Sequence, residues 1–137
     1  ASAAFAQGNL GKAMRYAKSE DFIERKDHII SLLRHVEQMD LSEMLAVIKD
    51  LGTRKDEVRD YIDLMVLWYR DVLLFKATKD INQLLFQDEA SYISREASHR
   101  SYEKIEEILQ AFEKAKVRLR ANVNFDITME LMLLTLK

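Results

Sequence analysis

The sequence contains no proline, no cysteine and only three glycines among its 137 residues. At the average usage of about 5% Pro and 7% Gly, a chain of this length would carry roughly seven prolines and ten glycines. All-β folds need turn residues every 8–12 positions or so, and the deficit therefore argues against them. The absence of cysteine excludes a disulfide scaffold, thiolate zinc sites and a cysteine nucleophile. It also fits a reducing, cytoplasmic compartment.

The sequence also lacks a large excess of one charge and a long apolar run. The formal net charge is −2, which provides no overall field to attract DNA or anionic lipid. The longest uncharged run, Ala1–Gly11, is well short of the ~20 residues that a membrane span needs. It also lacks the basic start and apolar core of a signal peptide. We therefore expect a cytoplasmic protein without membrane contact and, because the first residue is not Met, a part of a longer protein.

Apolar residues recur at helical spacing along almost the whole chain and predict an all-α fold, a bundle of about five to seven helices. The predicted helices cover residues 12–18, 20–39, 41–51, 55–79, 89–99, 102–120 and 125–136. The longest contains Leu64–Tyr69, which is apolar on every side and typical of a central helix. In the helix 41–51, one stripe is expected to face the core: Leu41, Met44, Leu45, Ile48 and Leu51.

Short polar residues mark the predicted helix ends in place of proline. Asp40, Thr53, Ser101 and Asn124 each precede a predicted helix. Their side chains can accept hydrogen bonds from the free N–H groups of a first helical turn, and we expect them to be N-caps. Gly52 follows the helix 41–51 and is expected at the C′ position, where a left-handed backbone favours glycine.

Two groups of residues have spacings that occur in metal sites. Glu24, His28 and His35 fall within about 60° of one helix face, and three such ligands could hold zinc. Glu96 and His99 have the Glu-x-x-His spacing of di-iron bundles, which need a second such pair that this sequence lacks. Because further polar residues surround the first group, we expect solvated helix faces and no metal or other cofactor. A helical-bundle metalloprotein is kept as an alternative.

The sequence presents no set of catalytic residues. It has no Gly-x-Ser-x-Gly motif, and its three histidines lie in separate, charged surroundings. The segment Gly8-Asn9-Leu10-Gly11-Lys12 has two glycines and a lysine but not the spacing of a phosphate-binding loop. A helix N-terminus beside Lys12 could still face an anion. We predict that this chain is not an enzyme.

The last predicted helix is unusually apolar. Between Ile127 and Leu136, only one glutamate and two threonines interrupt the apolar residues. Such a helix must either pack centrally or cover a partner, because a large exposed apolar patch usually marks an interface. The interface candidates are Leu131, Met132, Leu133, Leu134 and Leu136. A homodimeric helical adaptor is a second alternative function.

Three segments resemble parts of bacterial clamp-loader proteins. Gly8-Asn9-Leu10-Gly11-Lys12-Ala13 resembles the sensor-2 turn that opens the last lid helix of AAA+ clamp-loader subunits. The segment 70–77, RDVLLFKA, resembles the central helix of their collar domain. The segment 119–124, LRANVN, followed by an apolar terminal helix, is similar to the C-terminal signature of the DNA polymerase III delta-prime subunits. The three segments occur in the expected order and span nearly the whole chain.

The resemblance implies a domain organisation and a function. Residues 1–19 would end an AAA+ lid domain, and residues 20–137 would form the collar domain that holds the subunit in the pentameric clamp loader. The implied partners are the delta and tau/gamma subunits, and DNA and the sliding clamp would be reached only through the whole complex. Lys12, which follows the sensor-2 glycines Gly8 and Gly11, matches a position that contacts nucleotide phosphate in the subunits with ATPase activity. Delta-prime itself generally does not hydrolyse ATP.

Overall fold

A computed structural model describes residues 20–137, with the side chains from Ile23 onward. This part of the chain forms six α-helices and no strand, which confirms the predicted all-α helical bundle. The α-helices are α1 (Glu20–His35), α2 (Leu41–Gly52), α3 (Lys55–Thr78), α4 (Ala90–His99), α5 (Tyr102–Arg120) and α6 (Phe125–Leu136). Short 3-10 helices cover Val36–Gln38, Ile81–Gln83 and Gln87–Glu89.

The chain divides into two compact units, residues 1–34 and residues 35–137. The described part of the first unit is residues 20–34 of α1, in which four apolar side chains are buried: Ile29, Ile30, Leu32 and Leu33. The α-helix ends at His35, four residues before the predicted end, and the chain continues as the 3-10 helix Val36–Gln38. Such tightening is a common way to satisfy the last carbonyl groups of a helix.

In the second unit, α3 is the central helix. It packs against α2, α4 and α5, and its apolar middle is largely buried, as predicted. Three contacts show that α3 and α5 run antiparallel: Asp63 with Lys116 (3.1 Å), the Tyr69 ring with the Phe112 ring (5.8 Å between centroids), and Lys76 with the Tyr102 ring (5.0 Å).

Helices α5 and α6 form an antiparallel hairpin whose turn is closed by backbone hydrogen bonds. The N–H of Val123 donates to the carbonyl of Arg118 (3.0 Å), and the N–H of Asn122 donates to the carbonyl of Leu119 (3.3 Å). This is the Schellman arrangement, which requires a left-handed residue at C′. Asn122 takes that position with φ of 57°. The backbone of the turn therefore sets where α6 begins.

Three of the four predicted N-caps are confirmed. Asp40 accepts a hydrogen bond from the N–H of Glu43 (2.8 Å), Ser101 from that of Lys104 (3.1 Å), and Asn124 from that of Ile127 (3.0 Å). Each cap satisfies one of the free donors of a first turn.

The predictions for the junction between α2 and α3 are wrong. The Thr53 hydroxyl donates back to the carbonyl of Asp50 (2.6 Å), and Arg54 takes the N-cap position of α3. Gly52 is the last residue of α2 and has no positive φ. The tight two-residue link keeps the backbone right-handed at Thr53, so no left-handed C′ residue is needed.

The connector between α3 and α4 contains two short 3-10 helices, and one buried carboxylate of α3 holds it in place. Asp71 of α3 accepts hydrogen bonds from the N–H groups of Leu85 (3.1 Å) and Phe86 (2.8 Å). Burial raises the pKa of Asp71, and the two N–H donors partly offset this rise. Because Leu84 and Phe86 are also buried, the connector is fixed to α3 by both polar and apolar contacts.

Candidate interaction surface

Helix α6 lies against α5 on one side and α2 on the other. Two contacts show that α2 and α6 run antiparallel. Gly52 at the end of α2 lies beside the Phe125 ring at the start of α6. The Lys137 ammonium, after the end of α6, donates to the carbonyl of Met39 just before α2 (2.6 Å). Asn124 caps the N-terminus of α6, and Asp126 in its first turn complements the helix dipole.

One face of α6 belongs to the core of the second unit. Five residues on this face are buried: Thr128, Met129, Met132, Leu133 and Leu136. The buried Thr128 hydroxyl donates to the carbonyl of Asn124 (2.8 Å), so the polar group on this face is satisfied.

The opposite face of α6 is apolar and exposed. Ile127, Leu131 and Leu134 have 54%, 45% and 48% of their surface accessible, respectively. Their spacing of four and three residues places them on one side of the helix, and we call them the outer stripe. Water contact with three large apolar side chains on one helix face is unfavourable, and covering the outer stripe would relieve it.

The predicted interface residues fall on both faces of α6. Leu131 and Leu134 are in the outer stripe, whereas Met132, Leu133 and Leu136 are buried in the core. Ile127 completes the outer stripe and is not among the predicted interface residues. Its spacing to Leu131 and Leu134 is the signal that identifies it, because the apolar composition of the helix does not separate its two faces.

A buried arginine holds the C-terminal end of α6. The Arg100 side chain is 3% exposed. Its Nε donates to Glu96 (2.7 Å), and one of its terminal nitrogens donates both to Glu37 (2.7 Å) and to the carbonyl of Leu136 (2.7 Å). We call Arg100, Glu37 and Glu96 the Arg100 cluster. Both carboxylates are partly buried, which strengthens these charge-assisted bonds.

Two further side chains interact electrostatically with the Arg100 cluster. The His99 ring lies 3.4 Å from a Glu37 carboxylate oxygen. Burial raises the pKa of Tyr69 far above its ordinary range, and the negative charge of Glu96 adds to the rise. Burial alone would lower the pKa of the Arg100 guanidinium, but the carboxylates of Glu96 and Glu37 act in the opposite direction, and the pKa is raised overall. Arg100 therefore stays charged in its buried position.

The metal-ligand spacings found in the sequence do not form a metal site in residues 20–137. Within this range no group of three or more His, Cys, Asp or Glu side chains is placed to hold a metal ion. Glu24, His28 and His35 are exposed. Glu96 is engaged by Arg100, and His99 lies beside Glu37 rather than forming a metal-binding pair with Glu96.

The residues of the sensor-2 resemblance, Gly8, Gly11 and Lys12, lie outside the described residues. Across residues 20–137, no helix combines the length and the apolar character that a membrane crossing requires.

A family model described as "DNA polymerase III, delta subunit, C terminal" matches residues 19–137. The match spans all six described helices, including α6 with the outer stripe and the Arg100 cluster. No curated protein and no solved structure matches the chain. Because the family model covers far more than half of the sequence, the chain belongs to the clamp-loader family formed by the C-terminal domains of DNA polymerase III delta subunits.

Proposed function

We propose that this chain is the C-terminal part of a delta-prime subunit, and that residues 20–137 assemble it into the collar of the clamp loader. The single observation that carries the proposal is the outer stripe of α6. It leaves Ile127, Leu131 and Leu134 exposed on a helix whose other face is already in the core. Membership of the family supplies the setting, a complex of several subunits in DNA polymerase III.

The choice of delta-prime over delta rests on the segment 119–124. The family description names the delta subunit, whereas the segment LRANVN is similar to the delta-prime signature. This segment covers the last two residues of α5 and the turn before α6, with Asn122 left-handed and Asn124 as N-cap. Asn122 and Asn124 thus fix the start of α6, the helix that bears the outer stripe.

As a delta-prime subunit, the chain would act only within the clamp-loader complex. The partners are the delta and tau/gamma subunits, and the complex loads the sliding clamp onto primed DNA in the bacterial cytoplasm. Residues 1–19 end the AAA+ lid, with Lys12 at its sensor-2 position. The chain contributes contacts and no catalytic step, since C-terminal domains of this family are not known as catalytic domains.

The test is a binding measurement with and without the outer stripe. The 137-residue chain is mixed with purified delta and tau/gamma subunits and analysed by size exclusion with light scattering. We expect a mixed complex, and we expect Leu131→Glu to weaken it at least tenfold, because the charge must be desolvated in the contact. Ile81→Glu is the matched control, since Ile81 is 47% exposed but lies in the connector between α3 and α4.

Three outcomes would contradict the proposal. No mixed complex at micromolar concentration would exclude the collar function. If Leu131→Glu weakens binding no more than Ile81→Glu does, the outer stripe is excluded as the contact. A stable dimer of the chain alone that ignores the other subunits would instead identify a homodimeric adaptor.

A further inference from the structure

The Arg100 cluster joins parts of the second unit that are far apart in the sequence. Glu37 is the third residue of this unit, and Leu136 is the last residue of α6. Arg100 lies 63 residues from Glu37 and 36 residues from Leu136, and it contacts both through the same terminal nitrogen. The first and last segments of the unit therefore meet at one guanidinium group.

The contact with Leu136 lies at the C-terminal end of α6, where a helix has unpaired carbonyl groups. The last four carbonyl groups of a helix lack partners within it, and a positive charge near them is favourable. Arg100 provides both a donor and a buried charge at this point of α6. Because loss of this contact would leave a buried N–H of the guanidinium without its acceptor, Arg100 favours a placement of α6 in which the Leu136 carbonyl meets it.

We propose that Arg100 is a positioning residue, which fixes the last turns of α6 to the Val36–Gln38 segment and so holds the outer stripe in the orientation that a partner recognises. The inference rests on the proposed function. At its N-terminus α6 is already fixed by the Schellman turn and the Asn124 cap. Arg100 supplies the corresponding constraint at the other end, close to Leu131 and Leu134.

A second contact joins the same two segments but is exposed. The Lys137 ammonium donates to the carbonyl of Met39 at the surface, where a hydrogen bond contributes less than a buried charge-assisted one. We therefore assign the positioning to Arg100 and expect Lys137 to add little.

The first test is amide hydrogen exchange on the full 137-residue chain. Arg100→Gln is expected to speed exchange on the order of tenfold at residues 133–137 and 36–39, relative to residues 105–115 of α5. Lys116→Gln is the matched control, because Lys116 bridges α5 to Asp63 of α3 at 3.1 Å and lies outside the Arg100 cluster. Glu37→Gln keeps the shape of the contact but removes one charge, and it is expected to give a smaller change at the same two segments.

The exchange pattern decides whether Arg100 positions α6. Faster exchange confined to the two named segments supports the inference. Unchanged exchange, or equal acceleration throughout the second unit, overturns it. If Arg100→Gln does not fold, Glu37→Gln decides by the same criterion.

The second test measures binding of the delta and tau/gamma subunits. Arg100→Gln is expected to weaken binding several-fold, although the outer stripe is intact, whereas Leu131→Glu weakens binding without altering exchange at 36–39. Binding that depends on Leu131 but not on Arg100 overturns the inference and leaves the proposed function standing. If Leu131→Glu also has no effect, the proposed function fails, and the exchange data still decide whether Arg100 fixes α6.

Discussion

At the scale of single residues, two buried tyrosines of α3 differ in whether the hydroxyl group has a hydrogen-bond partner. Tyr61 and Tyr69 are both buried. The Tyr61 hydroxyl accepts a hydrogen bond from Arg54 (3.4 Å), whereas the Tyr69 hydroxyl has no hydrogen-bond partner among the described residues. A buried polar group without a partner is destabilising because its contact with water is lost and nothing replaces it.

We expect Tyr69→Phe to leave the free energy of unfolding unchanged or to raise it by up to about 1 kcal/mol, since it removes an unsatisfied group and keeps the ring. The ring contact with Phe112 is preserved by this change. Tyr61→Phe is the matched control and is expected to lower stability by about 0.5–1 kcal/mol, because a hydrogen bond is lost. Urea unfolding of both variants measures the difference. A loss above about 1 kcal/mol for Tyr69→Phe would show that its hydroxyl is bonded after all.

Asn122 and Asn124 lie two positions apart and have different backbone tasks. The sequence predicts Asn124 as an N-cap, because capping depends on a local pattern of one short polar side chain before a helix. It does not predict the left-handed Asn122. Asparagine tolerates positive φ better than most residues, but many asparagines do not adopt it. The left-handed backbone at Asn122 is needed only because α6 turns back directly onto α5, and the local sequence does not show this.

At the scale of elements, α6 is a helix with two apolar faces and different environments for each. Leu133 is fully buried and Leu134 is 48% exposed, although they are neighbours in the sequence. Composition alone does not distinguish them, and the sequence-based prediction therefore groups both as interface candidates. The division arises from the packing of α6 between α5 and α2, which is a tertiary property.

This division predicts unequal effects of the same substitution. Leu133→Ala is expected to lower the free energy of unfolding by about 2–5 kcal/mol, because it opens a cavity in the core. Leu134→Ala is expected to change stability by at most about 0.5 kcal/mol and to affect binding of the other subunits instead. Thermal or urea unfolding of the two variants gives the comparison. Equal losses would mean that both faces of α6 are covered within the chain.

Helix α2 shows the same limit of sequence reasoning. Of its predicted core stripe, Met44, Ile48 and Leu51 are buried, but Leu41 and Leu45 are 58% and 47% exposed. Periodicity predicts the helix and the centre of its buried face. It does not predict the width of that face, because the width depends on how many neighbouring helices α2 contacts.

At the scale of the whole molecule, the kind of fold is easier to predict from the sequence than the long-range contacts. Local patterns predict the six described helices, three N-caps and the central position of α3. They do not predict the Arg100 cluster, and they indicate Glu96 only as a candidate metal ligand. Glu37 and Leu136 lie 63 and 36 residues from Arg100, and no local spacing rule connects groups at such separations.

The division into two units leads to a last prediction, which concerns folding of the second unit alone. Residues 35–137 contain α2–α6, the central helix α3 and every member of the Arg100 cluster. They therefore include a core of their own and the contacts that join its first and last segments. We expect a chain of residues 35–137 to be helical and to unfold cooperatively in urea.

Two probes make this prediction decisive. Circular dichroism reports the helices, and fluorescence reports the single tryptophan, Trp68, which is 3% exposed in the middle of α3. Coincident transitions by both probes are expected if the unit folds as one cooperative body. Separate transitions, or a helical state in which Trp68 is solvated, would show that residues 35–137 do not fold by themselves as one cooperative body.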